Sequence, residues 1–204
     1  MHIPDGFLTP QVFLPFWVVA VGGLDYALKK TKQILKEKVV PLMGVAAAFI
    51  FAAQMLNFPV IGGTSGHLLG GVLAAVLLGP YAGVIVISLV LIVQCLVFQD
   101  GGLTTLGANI FNMAFLGAMG GYFIYNFLKK RVGLALSVGM ASWFSVVVAA
   151  SACAIELALS GTSPFRIVLP AMVGIHMLIG IGEAIITCLV ISFVLKVRPD
   201  LIYK

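Results

Sequence analysis

A histidine stands second in the chain, in the opening run Met1-His2-Ile3-Pro4-Asp5-Gly6. At that position it can wrap a metal ion with three nitrogens. These are the terminal amine of Met1, the ionised peptide nitrogen of His2 and its imidazole Nδ1. They close two fused chelate rings in roughly one plane. Planar nitrogen donation favours Ni(II) or Cu(II) over the oxygen-preferring Mg(II) or Ca(II). The arrangement requires a free amine at Met1, and an initiator methionine is usually retained before a residue as large as His. A planar three-nitrogen chelate leaves one corner open. His67, directly after the Gly-rich stretch Ile61-Gly62-Gly63-Thr64-Ser65-Gly66, could fill it. The competing reading is a disordered first residue pair and a histidine satisfied at a helix end. Ile3-Pro4-Asp5-Gly6 has turn chemistry and could fold residues 1–2 back onto the rest of the chain.

The remaining histidine, His176, lies in an apolar run with Glu183 seven residues later, on nearly the same helix face. His176 could be a ligand, an outer-shell partner or a packed polar residue. Glu183 is a functional candidate because ionisable groups are rare inside membrane spans; a buried pair with His176 or a contact to another subunit would also explain it. Gln94, Gln99, Asp100, Thr104, Thr105, Asn109 and Asn112 cluster in sequence. Metal-bound imidazoles usually anchor their second nitrogen on an outer acceptor. Asn109 stands first among these candidates, with ordinary interhelix hydrogen bonding as the alternative. Glu156 and Arg166 flank one helix end and could simply pair.

Elements of a membrane protein must position these residues. The 204 residues are 61% hydrophobic and only 9% charged, far below the roughly 25% charge of soluble domains. A single transmembrane domain over residues 1–204 is the economical reading. Spans of ~20 apolar residues are expected at roughly 10–29, 39–57, 66–79, 81–98, 103–128, 133–159 and 168–195. The fold class is therefore an all-α integral membrane protein with seven transmembrane helices. Thr9 and Pro10 suit a helix start, Gly79-Pro80 a tight reversal, and His67 would open the third helix. Lys29, Lys30, Lys32, Lys36 and Lys38, then Lys129-Lys130-Arg131, then Lys196, Arg198 and Lys204 fall on one side of a seven-span chain. Positive residues mark the cytoplasm. Eleven of the twelve basic residues then lie inside, with Arg166 outside. The N-terminus is outside and the C-terminus inside.

Several classes are excluded or disfavoured. The net charge of +5 comes from residues flanking apolar segments, so no nucleic-acid partner is expected. Cys95, Cys153 and Cys188 sit in apolar runs and read as small buried hydrophobes. No P-loop, zinc-protease motif or basic signal-peptide start is present. Alanines and glycines recur at four-residue spacing, as in Ala48 with Ala52, Gly66 with Gly70 and Gly117 with Gly121. Such spacing lets helices pack closely, and the Ala46–Ala53 run is the best candidate for docking another membrane subunit.

Four motifs carry a resemblance to a known family. They are Met1-His2-Ile3-Pro4-Asp5-Gly6-Phe7-Leu8, Gly63-Thr64-Ser65-Gly66-His67-Leu68-Leu69-Gly70-Gly71, the stretch from Gln99-Asp100-Gly101-Gly102 through Asn109, and His176-Met177-Leu178-Ile179-Gly180-Ile181-Gly182-Glu183. The chain resembles the substrate-capture subunit of nickel/cobalt energy-coupling-factor transporters, the CbiM/NikM type. That resemblance implies a six-helix capture fold with one helix added in front, in a prokaryotic cell membrane. It implies Ni(II) or Co(II) as transported substrate and no organic cofactor. The metal ligands carry over onto Met1, His2 and His67. The partners would be a transmembrane coupling subunit, two cytoplasmic ATPases and a small extra membrane subunit, which would be separate because the chain ends at Lys204. The chain itself would be non-catalytic. Two other classes stay open: a self-sufficient ion-coupled secondary transporter, for which Glu183 alone is thin support, and a membrane metalloenzyme, which a closed four-nitrogen plane disfavours.

Overall fold

The computed structural model describes residues 1–34 and 39–203. Lys36, Lys38 and Lys204, which enter the charge argument, lie outside the described residues. The chain is almost wholly helical. In order come α1 (Pro10–Ile34), α2 (Val39–Gln54), α3 (Gly71–Leu78), α4 (Pro80–Phe98), α5 (Leu106–Ile110), a π-helical stretch (Phe111–Gly120), α6 (Gly121–Val132), α7 (Leu134–Leu159) and α8 (Phe165–Val197). A short 3-10 turn (Pro199–Leu201) follows. Helix α5, the π stretch and α6 run on without a break. Among the described residues, four helices are long and apolar enough to cross a membrane: α1 over Pro10–Gln33, α4, α7 and α8.

Two sequence expectations change. The third predicted span, 66–79, contains only the eight-residue α3, about 12 Å long at 1.5 Å per residue. Residues 65–66 instead pair with β1 (Phe58–Pro59) as a short antiparallel strand, β2 (Ser65–Gly66). His67 therefore precedes α3 in extended chain and does not open it. The physical reason is Gly70, held at φ +75° with Ile50 packed against it, a backbone state that stops a helix from continuing toward the N-terminus.

Helix α3 is the axis of the bundle, and every residue from Gly71 to Leu78 is buried. A helix that is apolar all round must be covered on all sides. Helices α4, α6, α7 and α8 and the π stretch supply that cover. Glycines allow the contact. A Cβ on Gly71 would lie 2.8 Å from the main-chain nitrogen of Ala118 in the π stretch. Gly117 and Gly121 receive Leu69 and Val72 in the same way. The Gly117/Gly121 spacing thus serves internal packing, while Ala48 and Ala52 face outward.

The molecule has two distinct ends. Residues 1–9, 57–67, 99–105 and 160–164 gather at one. There Thr9 donates to Ser160 Oγ, Thr162 donates to the Phe7 carbonyl, and Asp5 caps Leu103 and Thr104. Gly79-Pro80 turns α3 into α4 at the other end, with the Tyr203 ring against Gly79 and its N–H on the Val76 carbonyl. The described basic residues Lys29, Lys30, Lys32, Lys129, Lys130, Arg131, Lys196 and Arg198 lie toward this second end, and Arg166 begins α8 at the first.

If α3 is supported by the π stretch, Gly71→Leu should cost about 1–3 kcal/mol through overpacking. Gly44→Leu, where nothing lies within 4 Å, should change stability by less than about 0.5 kcal/mol. Thermal unfolding in detergent compares them, and equal losses would show that this contact does not support the fold.

Candidate metal centre

The hexapeptide is built into the protein. Pro4 and Asp5 turn outward, with Gly6 at φ +82° and the Phe7 N–H on the Pro4 carbonyl. Behind that turn, Met1 and Ile3 are fully buried and His2 is 3% exposed. The main chain of Ile3 is held on both sides. Its N–H donates to Asn109 Oδ1 at 2.9 Å. Its carbonyl accepts from Gly102 N–H at 2.8 Å, from Asn109 Nδ2 at 3.2 Å and from the Thr105 hydroxyl. Asp5 secures the turn by accepting from Thr104 N–H at 2.7 Å and Leu103 N–H at 3.0 Å; its hydrogen bonds with Thr104 hold its carboxyl below the usual range.

The receiving loop follows from how α4 ends. Gln99 takes a left-handed turn (φ 55°), and the N–H groups of Gln99 and Asp100 close on the Gln94 carbonyl. Gly101 then passes close to the site at φ +91°. A Cβ there would lie 3.1 Å from Asn109 Nδ2 and 3.5 Å from His2 Cβ.

The Met1 amine donates to the carbonyl and, at 3.0 Å, to the hydroxyl of Ser65. The His2 N–H reaches the same hydroxyl at 3.3 Å. The His2 and His67 rings stack with centroids 4.5 Å apart and planes 20° from parallel. His2 Nε2 donates to Gln94 Oε1 at 3.0 Å. With Gln94 presenting its oxygen, the proton is assigned to Nε2 and the lone pair to Nδ1. His67 Nδ1 donates to the Leu68 carbonyl at 2.8 Å. His2 Nδ1 and His67 Nε2 are both buried without a hydrogen-bond partner.

Burial sets the charge state. It lowers the Met1 amine to about 5, against the opposing pull of Cys153 and Asp100. It lowers His2 to about 3, with the nearby amine adding and the Gln94 bond opposing. With the His2 ring neutral, the 3.3 Å approach of Asp100 Oδ1 to His2 Nδ1 is not an ion pair. It sets a carboxyl oxygen beside the ring nitrogen that does not face Gln94. Burial also raises the Asp100 carboxyl, partly offset by the amine and by Asn57.

The sequence candidates thus separate. Met1, His2 and His67 come together. Asn109 holds the Ile3 main chain, and Gln94 is the residue on the second nitrogen of His2. His176 is buried in α8, its Nδ1 donating to the Met172 carbonyl at 2.7 Å and its Nε2 unpartnered. Glu156 accepts from Asn112 at 2.8 Å rather than pairing with Arg166, and Glu183 caps main-chain N–H groups rather than pairing with His176. Ser65 was unassigned in the sequence; its only signal is its place two residues before His67. Among the described residues no group of three or more His, Cys, Asp or Glu is arranged to hold a metal. A nitrogen site here must draw on main-chain donors. The three cysteines are free.

Fold and site together define a multi-pass membrane protein with a buried nitrogen cluster at one end. The family described as CbiM, cobalt uptake substrate-specific transmembrane region, matches residues 2–201. A protein of Archaeoglobus fulgidus, named as a fused nickel transport protein NikMN, is 41% identical over 99% of this chain and 68% of its own. One of Methanocaldococcus jannaschii, named as a cobalt transport protein CbiM, is 31% identical over all of this chain and 91% of its own. The crystal structure of a truncated transition metal transporter superposes with a TM-score of 0.92 at 38% identity, covering 96% of this chain and 99% of the other. The chain belongs to the CbiM family.

Docking of the terminus should depend on pH. An undocked amine binds a proton below its ordinary value of 8.0, whereas the docked amine does so only near 5. The docked state is therefore favoured fully above pH 8 and progressively less as pH falls toward 5. The buried His2 imidazole adds to the loss below its ordinary 6.5. Hydrogen-exchange protection of the Ile3 N–H, corrected for intrinsic rate, should fall over that window; constant protection would mean that the docked amine is charged.

Proposed function

We propose that the chain captures Ni(II) or Co(II) for import, as the substrate-binding membrane subunit of an ATP-driven transporter. The observation that carries this reading is the pair of stacked imidazoles, each with an unpartnered buried nitrogen, beside the Met1 amine. Four nitrogens are then at hand: the Met1 amine, the His2 peptide nitrogen, His2 Nδ1 and His67 Nε2. Gln94 and the Leu68 carbonyl orient the two rings by fixing their other nitrogens, the usual duty of outer partners. Asp100 supplies negative charge beside His2. All-nitrogen donation with an ionised amide leans toward Ni(II). The names of the relatives, nickel and cobalt transport proteins, support the same substrates.

In this reading seven segments cross the membrane. The chain from His67 to Gly79 makes the short third crossing, part extended and part α3. The metal-site end faces outside and the basic end faces the cytoplasm, following the positive-inside bias. A transmembrane coupling subunit, two cytoplasmic ATPases and a small extra membrane subunit complete the importer, with ATP hydrolysed by the partners. The outward Ala48/Ala52 face of α2 is the proposed docking surface for another membrane subunit.

Titration of the purified chain with Ni(II), followed by the planar ligand-field band, tests the site. His67→Ala should weaken binding by more than about 100-fold, since it removes a donor. His176→Ala and Gln94→Ala should cost at most the ~10–100-fold typical of outer-shell losses. Acetylation of the Met1 amine should abolish tight binding while leaving the fold intact, and normal binding by the acetylated protein would eliminate the terminal chelate.

Calorimetry gives an independent check on proton balance. At pH 7 the buried amine and the His2 imidazole are already neutral, by the shifts described above. Binding should release about one proton, from the His2 peptide nitrogen. Release near zero would mean that this amide stays protonated and is not a ligand.

A further inference from the structure

Taking His67 as a metal ligand, as proposed above, we infer that Glu183 is the residue that positions it, reaching from the last helix to grip the main chain just behind the ligand. Glu183 lies in the body of α8 and is 1% exposed. No ion pair forms to it among the described residues. Its two oxygens instead accept from two successive N–H groups, Leu69 at 2.6 Å and Gly70 at 2.7 Å. Charge-assisted bonds of this kind are short and roughly twice as strong as neutral ones.

The pattern needs a carboxylate. Two converging N–H donors call for two acceptor oxygens, and an amide would turn an NH2 group against one of them. A carboxylate inside a membrane protein is costly unless its position is used. Here it holds the residues two and three beyond His67. The Gln54 side chain donates to the Leu69 carbonyl at 2.7 Å, so α2 and α8 grip the same peptide from opposite faces. Gly70, at φ +75° and crowded by Ile50, permits the bend that presents both N–H groups. The Leu68 carbonyl that fixes the His67 ring belongs to the peptide unit whose N–H is that of Leu69. Glu183 therefore bonds one edge of that peptide and His67 the other. Releasing Glu183 frees the peptide to rotate, and the ring orientation with it.

The test is a double-mutant cycle on the full chain with its native terminus, using Ni(II) alone as probe. Glu183→Gln should weaken binding by about 10–100-fold and shift the planar Ni(II) band toward that of His67→Ala. In the His67→Ala background the same change should cost no more than about twofold, because the ring it orients is gone. Should the Gln variant fail to fold, Glu183→Asp, which keeps the charge on a shorter arm, is read the same way. Equal losses in both backgrounds would mean that Glu183 serves the whole fold, and would overturn the assignment. Wild-type affinity and band in Glu183→Gln, beside a weakened His67→Ala, would overturn the role of Glu183 alone. Normal binding by His67→Ala would overturn the ligand reading and this role with it.

Discussion

A buried main chain must find a partner for each of its polar groups, and here that requirement falls on the first three residues. Buried N–H and C=O groups left unpaired cost as much as a lost hydrogen bond. The peptide of Ile3 is satisfied by Asn109, Gly102 and Thr105. With Ile3 pinned, His2 stacks on His67 and the Met1 amine bonds Ser65. The geometry of the nitrogen cluster is thus set less by the histidines than by one apolar residue whose backbone is fully bonded.

The cluster rests on an unusual support. Directly behind His67 the chain enters α3, a short helix with no exposed residue, packed through glycine against a π-helical stretch. Stretches of π-helix widen the backbone and occur often at functional sites. Asn112 within this one bonds Glu156 of α7, tying the stretch to the helix that packs most extensively on α8. Few soft elements separate the site from the long helices.

Much of this was readable in the residues. Long apolar runs specify membrane helices through length, and the histidine in second place marked the residue that the structure buries against His67. Two features were not readable. The third helix was drawn too long because hydropathy does not register Gly70, whose left-handed backbone stops α3 and leaves His67 in extended chain. Gln94 stands in the sequence among the candidate outer partners, ranked behind Asn109, and the sequence does not say which of them meets the His2 ring. In the structure Gln94 of α4 does, and Asn109 is occupied by the Ile3 main chain. Pairing across the bundle depends on which helix faces meet, and a single sequence does not state that.

The contacts that close the site also have an order in time. The Met1–Thr9 segment is bonded to Asn109, to Ser160 through Thr9 and to Thr162 through Phe7, and the His67 segment is bonded to Glu183. Each partner is made long after the segment it secures. A nascent chain would therefore expose an unassembled terminus until α8 entered the bilayer, and loop closure over such separations comes late in folding. The bonds behind His67 form only when α8 is in place. A chain arrested before α8 would lack the Glu183 bonds to the Leu69 and Gly70 N–H groups, so the segment behind His67 is secured only once α8 has been made.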